Sequence, residues 1–255
     1  MNAQRFESET TLREWLQREP FTLSLSAGFF GFYAHAGFVS VLEDEGLKPR
    51  LVTGCSAGSL VGGLWASGCS IATLKDFIYD LDWRDFWDPG VGLGVLKGQR
   101  FDAILKTLLG VENIEDTPTS LRITVFDLKR LATDYLDAGE LSCAIRASCA
   151  FPGLFQPVVF NGRQYVDGGI LDRSSMGAVA EGMPILYHHL TSRSKVRRHL
   201  KRLSGWQNRP NLVPLSVSGL PKVSPFHLHR GPKAYDIARE YFQRRLDAPA
   251  QATPL

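Results

Sequence analysis

Five residues, Gly54-Cys55-Ser56-Ala57-Gly58, place a serine between two glycines just after the apolar run Leu51-Val52-Thr53. A small-residue segment of helical character follows as far as Ser67. A strand, a sharp turn and a helix in that order form a nucleophile elbow, in which the serine hydroxyl stands exposed at a helix N-terminus. A Cβ at Gly54 or Gly58 would crowd so tight a turn. The partial positive charge at the helix end favours a developing anion. These residue types point to attack by Ser56 on an acyl carbon.

A serine hydroxyl needs a base, and the residues alone leave two kinds open. His188, His189, His199, His227 and His229 lie downstream, as a Ser–Asp–His order requires. Yet the elbow stands at residue 56 after one clear strand, earlier than an α/β-hydrolase sheet normally places it. Asp167 is better marked: in Tyr165-Val166-Asp167-Gly168-Gly169 it ends a strand, and two glycines let the backbone turn towards another loop. The third element is the loop from Ser26 to Gly37, with glycines at 28, 31 and 37. Such a loop offers backbone N–H groups to an anion. Ester hydrolysis passes through a tetrahedral oxyanion and draws much of its rate from such donors. The loop has neither GxGxxG nor the Lys-Ser/Thr ending of a phosphate loop.

With the glycine-bearing loop, GxSxG about 25 residues later and Asp-Gly-Gly far downstream, the sequence resembles the patatin-like phospholipase family. Ala144-Ile145-Arg146-Ala147-Ser148, Phe151-Pro152-Gly153 and residues 162–169 extend the resemblance, which runs from about residue 21 to residue 171. It implies an α/β fold, a three-layer sandwich around a central, largely parallel sheet. It implies a Ser–Asp dyad, with Ser56 as nucleophile and Asp167 as base. It implies an oxyanion hole built from the N–H groups of Gly28, Phe29 and Ala57, with Gly31, Gly54, Gly58, Gly168 and Gly169 supporting the motifs. No metal and no organic cofactor is implied. The expected substrate is a fatty-acyl ester of a phospholipid, lysophospholipid or glyceride, cleaved through a covalent acyl-enzyme. Acyl transfer to an alcohol, and lipid binding with weak catalysis, are the alternatives. The chain also departs from the pattern. Ser26 and Ala27 replace leading glycines, Cys55 replaces a commoner Thr, and Asp172-Arg173 stands where bacterial members often carry an asparagine pair. The stretch Phe29-Phe30-Gly31-Phe32-Tyr33 is similar to the animal triacylglycerol-lipase branch. His35 has a family counterpart, expected to be structural.

These groups need a scaffold. Hydrophobic periodicity predicts helices over residues 11–18, 36–45, 56–67, 71–81, 101–109, 142–149 and 234–246. Strands are predicted at 21–26, 50–54, 121–127, about 133–136, 184–189 and 212–217, and a hairpin at 158–166 around Asn161-Gly162. Residues 82–98 read as irregular. Strands alternating with helices suit a largely parallel sheet, with residues 1–255 as a single domain. Trp83, Phe86, Trp87, Leu93, Val95 and Leu96, with Phe151, Leu154 and Phe155, are expected to line an acyl channel.

The 255 residues are 44% hydrophobic and 22% charged, ordinary for a globular chain and unlike a disordered or fibrous one. Cys55, Cys69, Cys143 and Cys149 have no metal-ligand spacing. The first twenty residues hold no apolar run, so a cytoplasmic setting with free thiols is expected. The net charge of +3 hides an asymmetry: residues 182–235 carry ten basic residues and no acid, against a net of −7 elsewhere. Within that window residues 192–203 read as an amphipathic helix. Val196, Leu200 and Leu203 form a stripe among Arg193, Lys195, Arg197, Arg198, Lys201 and Arg202. That pattern suits peripheral docking on an anionic membrane; no nucleic-acid partner is expected.

Overall fold

The computed structural model describes residues 10–190, 209 and 211–250. Helix α1 (Leu12–Arg18) opens on a capping box, in which Thr11 and Glu14 satisfy each other's backbone N–H groups. Then come β1 (Thr22–Leu25), α2 (Phe32–Asp44), β2 (Leu51–Cys55), α3 (Ala57–Ala66) and α4 (Ile71–Asp80). Next are β3 (Gly94–Leu96), α5 (Gln99–Leu108), β4 (Ser120–Asp127), β5 (Ala132–Leu136) and α6 (Leu141–Cys149). The chain continues through β6 (Gly153–Phe155), β7 (Val158–Phe160), β8 (Arg163–Asp167), β9 (Ile185–His188), β10 (Leu212–Leu215) and α7 (Gly231–Leu246).

The main sheet runs β10-β9-β1-β2-β4-β8-β7, and β5 also pairs with β4. The first five strands are mutually parallel; β8, β7 and β5 add antiparallel pairs. The parallel strands are buried on both faces, yet β1 still alternates, with Thr22 and Ser24 buried beside Leu23 and Leu25. The side-chain period of two still sorts their residues. Leu23, Leu25, Val52, Leu186 and Val213 join the large core beneath α2, α3 and α7. Ile185, Tyr187 and Leu212 turn the other way onto Met176 and Val179. The layers are therefore helices, sheet, and a covering of short 3-10 turns between residues 168 and 178. At the antiparallel edge, Asn161 and Gly162 both have positive φ, 48° and 76°, as a two-residue hairpin of type I′ requires.

Three elements differ from expectation. Helix α2 begins at Phe32, not near Ala36, because Phe32, Tyr33 and Ala34 already bury an apolar turn; His35 thus belongs to a helix. Residues 94–96, read as irregular, form β3, which pairs with β6 through Gly94↔Gly153 and Leu96↔Phe155. Three residues are too few to show a period. Helix α7 starts three residues early, with Pro232 in its first turn. The basic segment 192–203 lies outside the described residues. Among those described, no helix is long and apolar enough to cross a membrane.

Candidate active site

Strand β4 brings Ser56 and Asp167 together. Its residues 120–124 pair in parallel with β2, ending at Cys55↔Thr124. Its residues 125–127 pair antiparallel with β8, ending at Val125↔Asp167. Strand β5 covers 123–127 from the opposite edge. So β2 and β8 lie on one edge of β4 and meet tip to tip, with the serine and the carboxylate at the meeting point. The Cys55 thiol is 3.8 Å from Asp167 Oδ1, across 112 residues of chain.

The turn at Ser56 is strained and clamped. Its φ of 52° and ψ of −116° are unusual for a residue with a Cβ. Its N–H donates to Ser148 Oγ at 2.9 Å, and Ser148 donates in turn to the Thr124 carbonyl at 2.7 Å. Its carbonyl accepts from Ser59 Oγ at 2.7 Å and from the Leu60 N–H at 3.0 Å. The flanking glycines are sterically required: a Cβ on Gly54 would lie 2.5 Å from the Gly58 carbonyl oxygen, and one on Gly58 would run into the carbonyl of Leu25.

Both side chains are secluded, Ser56 being 8% and Asp167 6% exposed. Burial pushes the Asp167 carboxyl upward; hydrogen bonding from Ser56 and the Gly169 N–H pulls it back, helped by the charge of Arg173. The Gly169 N–H donates to Asp167 Oδ1 at 2.8 Å. A Cβ on Gly168 would stand 2.6 Å from the Thr124 carbonyl, so this turn too must be glycine. The two neighbouring thiols are kept protonated: burial holds Cys149 up at about 12 and lifts Cys55 well above its usual range.

The loop over residues 26–31 stands beside this pair. The Ala27 N–H donates to the Arg173 carbonyl at 2.8 Å, and Arg173 Nη2 donates to the Ala27 carbonyl at 2.9 Å. Gly28 and Gly31 sit directly on Leu190, whose Cδ1 a Cβ at Gly28 would meet at 2.5 Å. Phe30 takes a positive φ of 56°, and the Gly31 N–H closes the turn on the Gly28 carbonyl at 2.8 Å. Among the described residues the N–H groups of Gly28 and Phe29 have no acceptor. Ala57, first residue of α3, carries one of the orphan donors of a helix start.

The histidines lie elsewhere. His35 Nε2 donates to the Ser26 carbonyl at 2.9 Å, and its Nδ1 lies 2.8 Å from His188 Nδ1. The carbonyl only accepts, so His35 carries its proton on Nε2 and takes one from His188. Burial lowers His35 to about 4 and takes His188 well below its usual range, which keeps both neutral. The pair braces the loop from behind. His189 bonds the Tyr187 hydroxyl, and His227 bonds Ser224. His199 is outside the described residues.

The expected acyl channel is not assembled as drawn. Leu96 turns into the core while Leu93 and Val95 face solvent, because alternate residues of β3 point to opposite sides. Phe151 does reach the site, its ring 6.0 Å from that of Phe29. Sequence reasoning missed Ser148 and Arg173 as supports; both stand inside motifs already singled out, but neither motif says which backbone group it holds.

A family model described as patatin-like phospholipase matches residues 23–179. An uncharacterized NTE family protein of Mycobacterium tuberculosis is 32% identical over 165 residues, covering 62% of this chain and 45% of that protein. Lysophospholipase NTE1 of Scheffersomyces stipitis is 30% identical over 164 residues, covering 62% of this chain and 11% of its own length. The chain thus spans less than half of the curated relatives it matches. The crystal structure of VipD from Legionella pneumophila shares the fold, with a TM-score of 0.66 at 16% identity over 91% of this chain and 67% of that one.

Proposed function

The chain belongs to the patatin-like phospholipase family, and on that premise we propose that it is a lipid acyl hydrolase in which Ser56 and Asp167 work as a dyad within one domain. The observation that carries the reading is the buried approach of Ser56 to Asp167 where β2 and β8 meet. A free aspartate, with a pKa near 3.9, is a weak base in water. In this dry setting the carboxyl is more basic and already positioned. Ser56 Oγ attacks the ester carbonyl carbon while its proton passes to Asp167. The carbonyl oxygen, now an anion, is received by the N–H groups of Gly28, Phe29 and Ala57. Collapse breaks the ester bond; Asp167 returns the proton to the leaving alcohol, and the acyl group stays on Ser56. Water then attacks the acyl-enzyme, its proton passes to Asp167, and the fatty acid leaves as Ser56 recovers the proton. The scheme draws on no group beyond these residues. The lipid ester partner is read from the family and from the apolar rim of Phe29 and Phe151.

The test pairs labelling with turnover. A fluorophosphonate probe is expected to label the wild type and not Ser56→Ala. Asp167→Asn is expected to lose about 10⁴-fold or more in ester hydrolysis while keeping a cooperative melt. A folded wild type that takes no label and cleaves no ester overturns the reading. Product analysis with glycerol beside water separates hydrolysis from acyl transfer.

A further inference from the structure

An open cavity of about 420 Å³ has a lining that includes Lys97, Gln99, Arg146, Gln156, Val158 and Val159. No carboxylate lines it. Lys97 has no ion pair among the described residues. Arg146 Nε is buried without an acceptor. Its nearest carboxylate oxygen, Asp102 Oδ1, is 4.0 Å away and already accepts from Ser142 Oγ, while Oδ2 of the same group takes Lys106. Lys97 and Arg146 thus line one cavity with no carboxylate in hydrogen-bond reach of either, and Arg146 has a buried donor to spare. An anion is the chemistry that fits.

The rim of the cavity is apolar. Residues 90–95 close a tight hairpin through the Gly90 N–H and the Val95 carbonyl. The hairpin is held to the cavity wall by Gln156 Nε2 donating to the Val91 carbonyl at 3.1 Å. At its tip Val91 is fully exposed and Leu93 77% exposed. Val95 and Val159 are more than half exposed on either side. Strand β3 of this hairpin pairs with β6, which begins two residues after Phe151, whose ring lies 6.0 Å from that of Phe29 at the site. An anion seat inside an apolar rim fits the surface of a phospholipid layer, where headgroup phosphates lie above acyl chains.

We propose that this face docks the protein on an anionic phospholipid bilayer, with the 90–95 hairpin entering the acyl layer and the cavity between Lys97 and Arg146 seating a headgroup phosphate. The proposal rests on the lipid-hydrolase reading for its substrate, and places the mouth of the site against the layer that holds it. Binding then scales with apolar area buried and with attraction to anionic lipid.

The experiment is co-sedimentation of the full chain with vesicles of phosphatidylcholine and phosphatidylserine, and with vesicles of phosphatidylcholine alone. The wild type is expected to bind the mixed vesicles more tightly, and salt to weaken that preference. Val91→Asp with Leu93→Asp should lower binding at least tenfold. Lys97→Glu should lower binding to the mixed vesicles by about fivefold or more, and to phosphatidylcholine by less, because both lipids offer the phosphate but only phosphatidylserine adds net negative charge. A melt matching the wild type shows that each variant is folded. No binding by the wild type, or unchanged binding by a folded Val91→Asp/Leu93→Asp protein, overturns the docking face. A Lys97→Glu protein that binds both vesicles as the wild type does overturns the phosphate seat. Two controls keep the readings apart: Ser56→Ala should bind vesicles like the wild type, and hydrolysis of a water-soluble short-chain ester by the wild type tests the active site without any bilayer.

Discussion

Two glycine-bearing segments of this molecule are built to opposite specifications. In residues 54–58 the glycines abut backbone: Gly54 lies against the peptide of Gly58, and Gly58 against the carbonyl of Leu25 in β1. In residues 90–92 they abut the ends of side chains, Gly90 against Lys97 and Gly92 against Gln156. Backbone inside a buried parallel sheet has nowhere to go; a lysine or glutamine end at the surface swings aside. The first segment therefore holds Ser56 in a backbone conformation it would not choose, and the second leaves an exposed tip free to meet whatever surrounds it. What a glycine touches, more than the glycine itself, separates a rigid site from an adaptable surface.

The comparison is broken most severely if the elbow tolerates a methyl group. Gly58→Ala is expected to lose about 3 kcal/mol or more of stability, through overpacking against a fixed carbonyl, and esterase activity with it; chemical denaturation and turnover read both. Ser148→Ala removes the hydroxyl shared by the Ser56 N–H and the Thr124 carbonyl. It should cost about 1–3 kcal/mol, and lower turnover more than it raises KM, because Ser56 loses one of its two clamps. A graded effect comes from acid. As the base of the proposed dyad, Asp167 would work only when ionised, and burial raises its pKa, so kcat/KM on a soluble ester should fall as pH is lowered through a midpoint above 3.9. Stability carries the opposite sign. A carboxyl raised on folding binds its proton better in the native state, so it stabilises least once pH exceeds that raised value, and Asp167→Asn should melt no lower than the wild type at neutral pH. The smallest effect belongs to the hairpin: Gly92→Ala displaces only the Gln156 amide and should stay within about 0.5 kcal/mol in a thermal melt. Equal damage from Gly92→Ala and Gly58→Ala would erase the distinction.

The same contrast explains what the sequence made legible. The elbow was readable because strand, turn and helix are contiguous, and glycine there has one steric meaning. Asp167 was readable as a strand-end carboxylate, and the Asn161-Gly162 hairpin as a turn dipeptide with both φ angles positive. The tip-to-tip meeting of β2 and β8 was not, since no local pattern records that two strands share one edge of a third. The His35–His188 pair was hidden for a like reason: its members are 153 residues apart, and only the parallel register of β1 beside β9 sets them together. Strand β3 escaped notice because three residues carry no periodicity. The apolar character of its valine and leucine, without a face, does not say which way they point.

Because the two strands that present Ser56 and Asp167 meet end to end on β4, the site has a place in the timetable of protein synthesis. A ribosome releases the chain from its N-terminus, so the elbow emerges and can pack with β1 and β4 while the stretch carrying Asp167 is still being made. If Ser56 is the nucleophile proposed above, it waits through that interval with no partner to take its proton. Only when residues 158–167 have cleared the ribosome and the hairpin of β7 and β8 has closed onto β4 does the carboxylate arrive. On the proposed dyad, a chain interrupted before that point carries the elbow serine without its base.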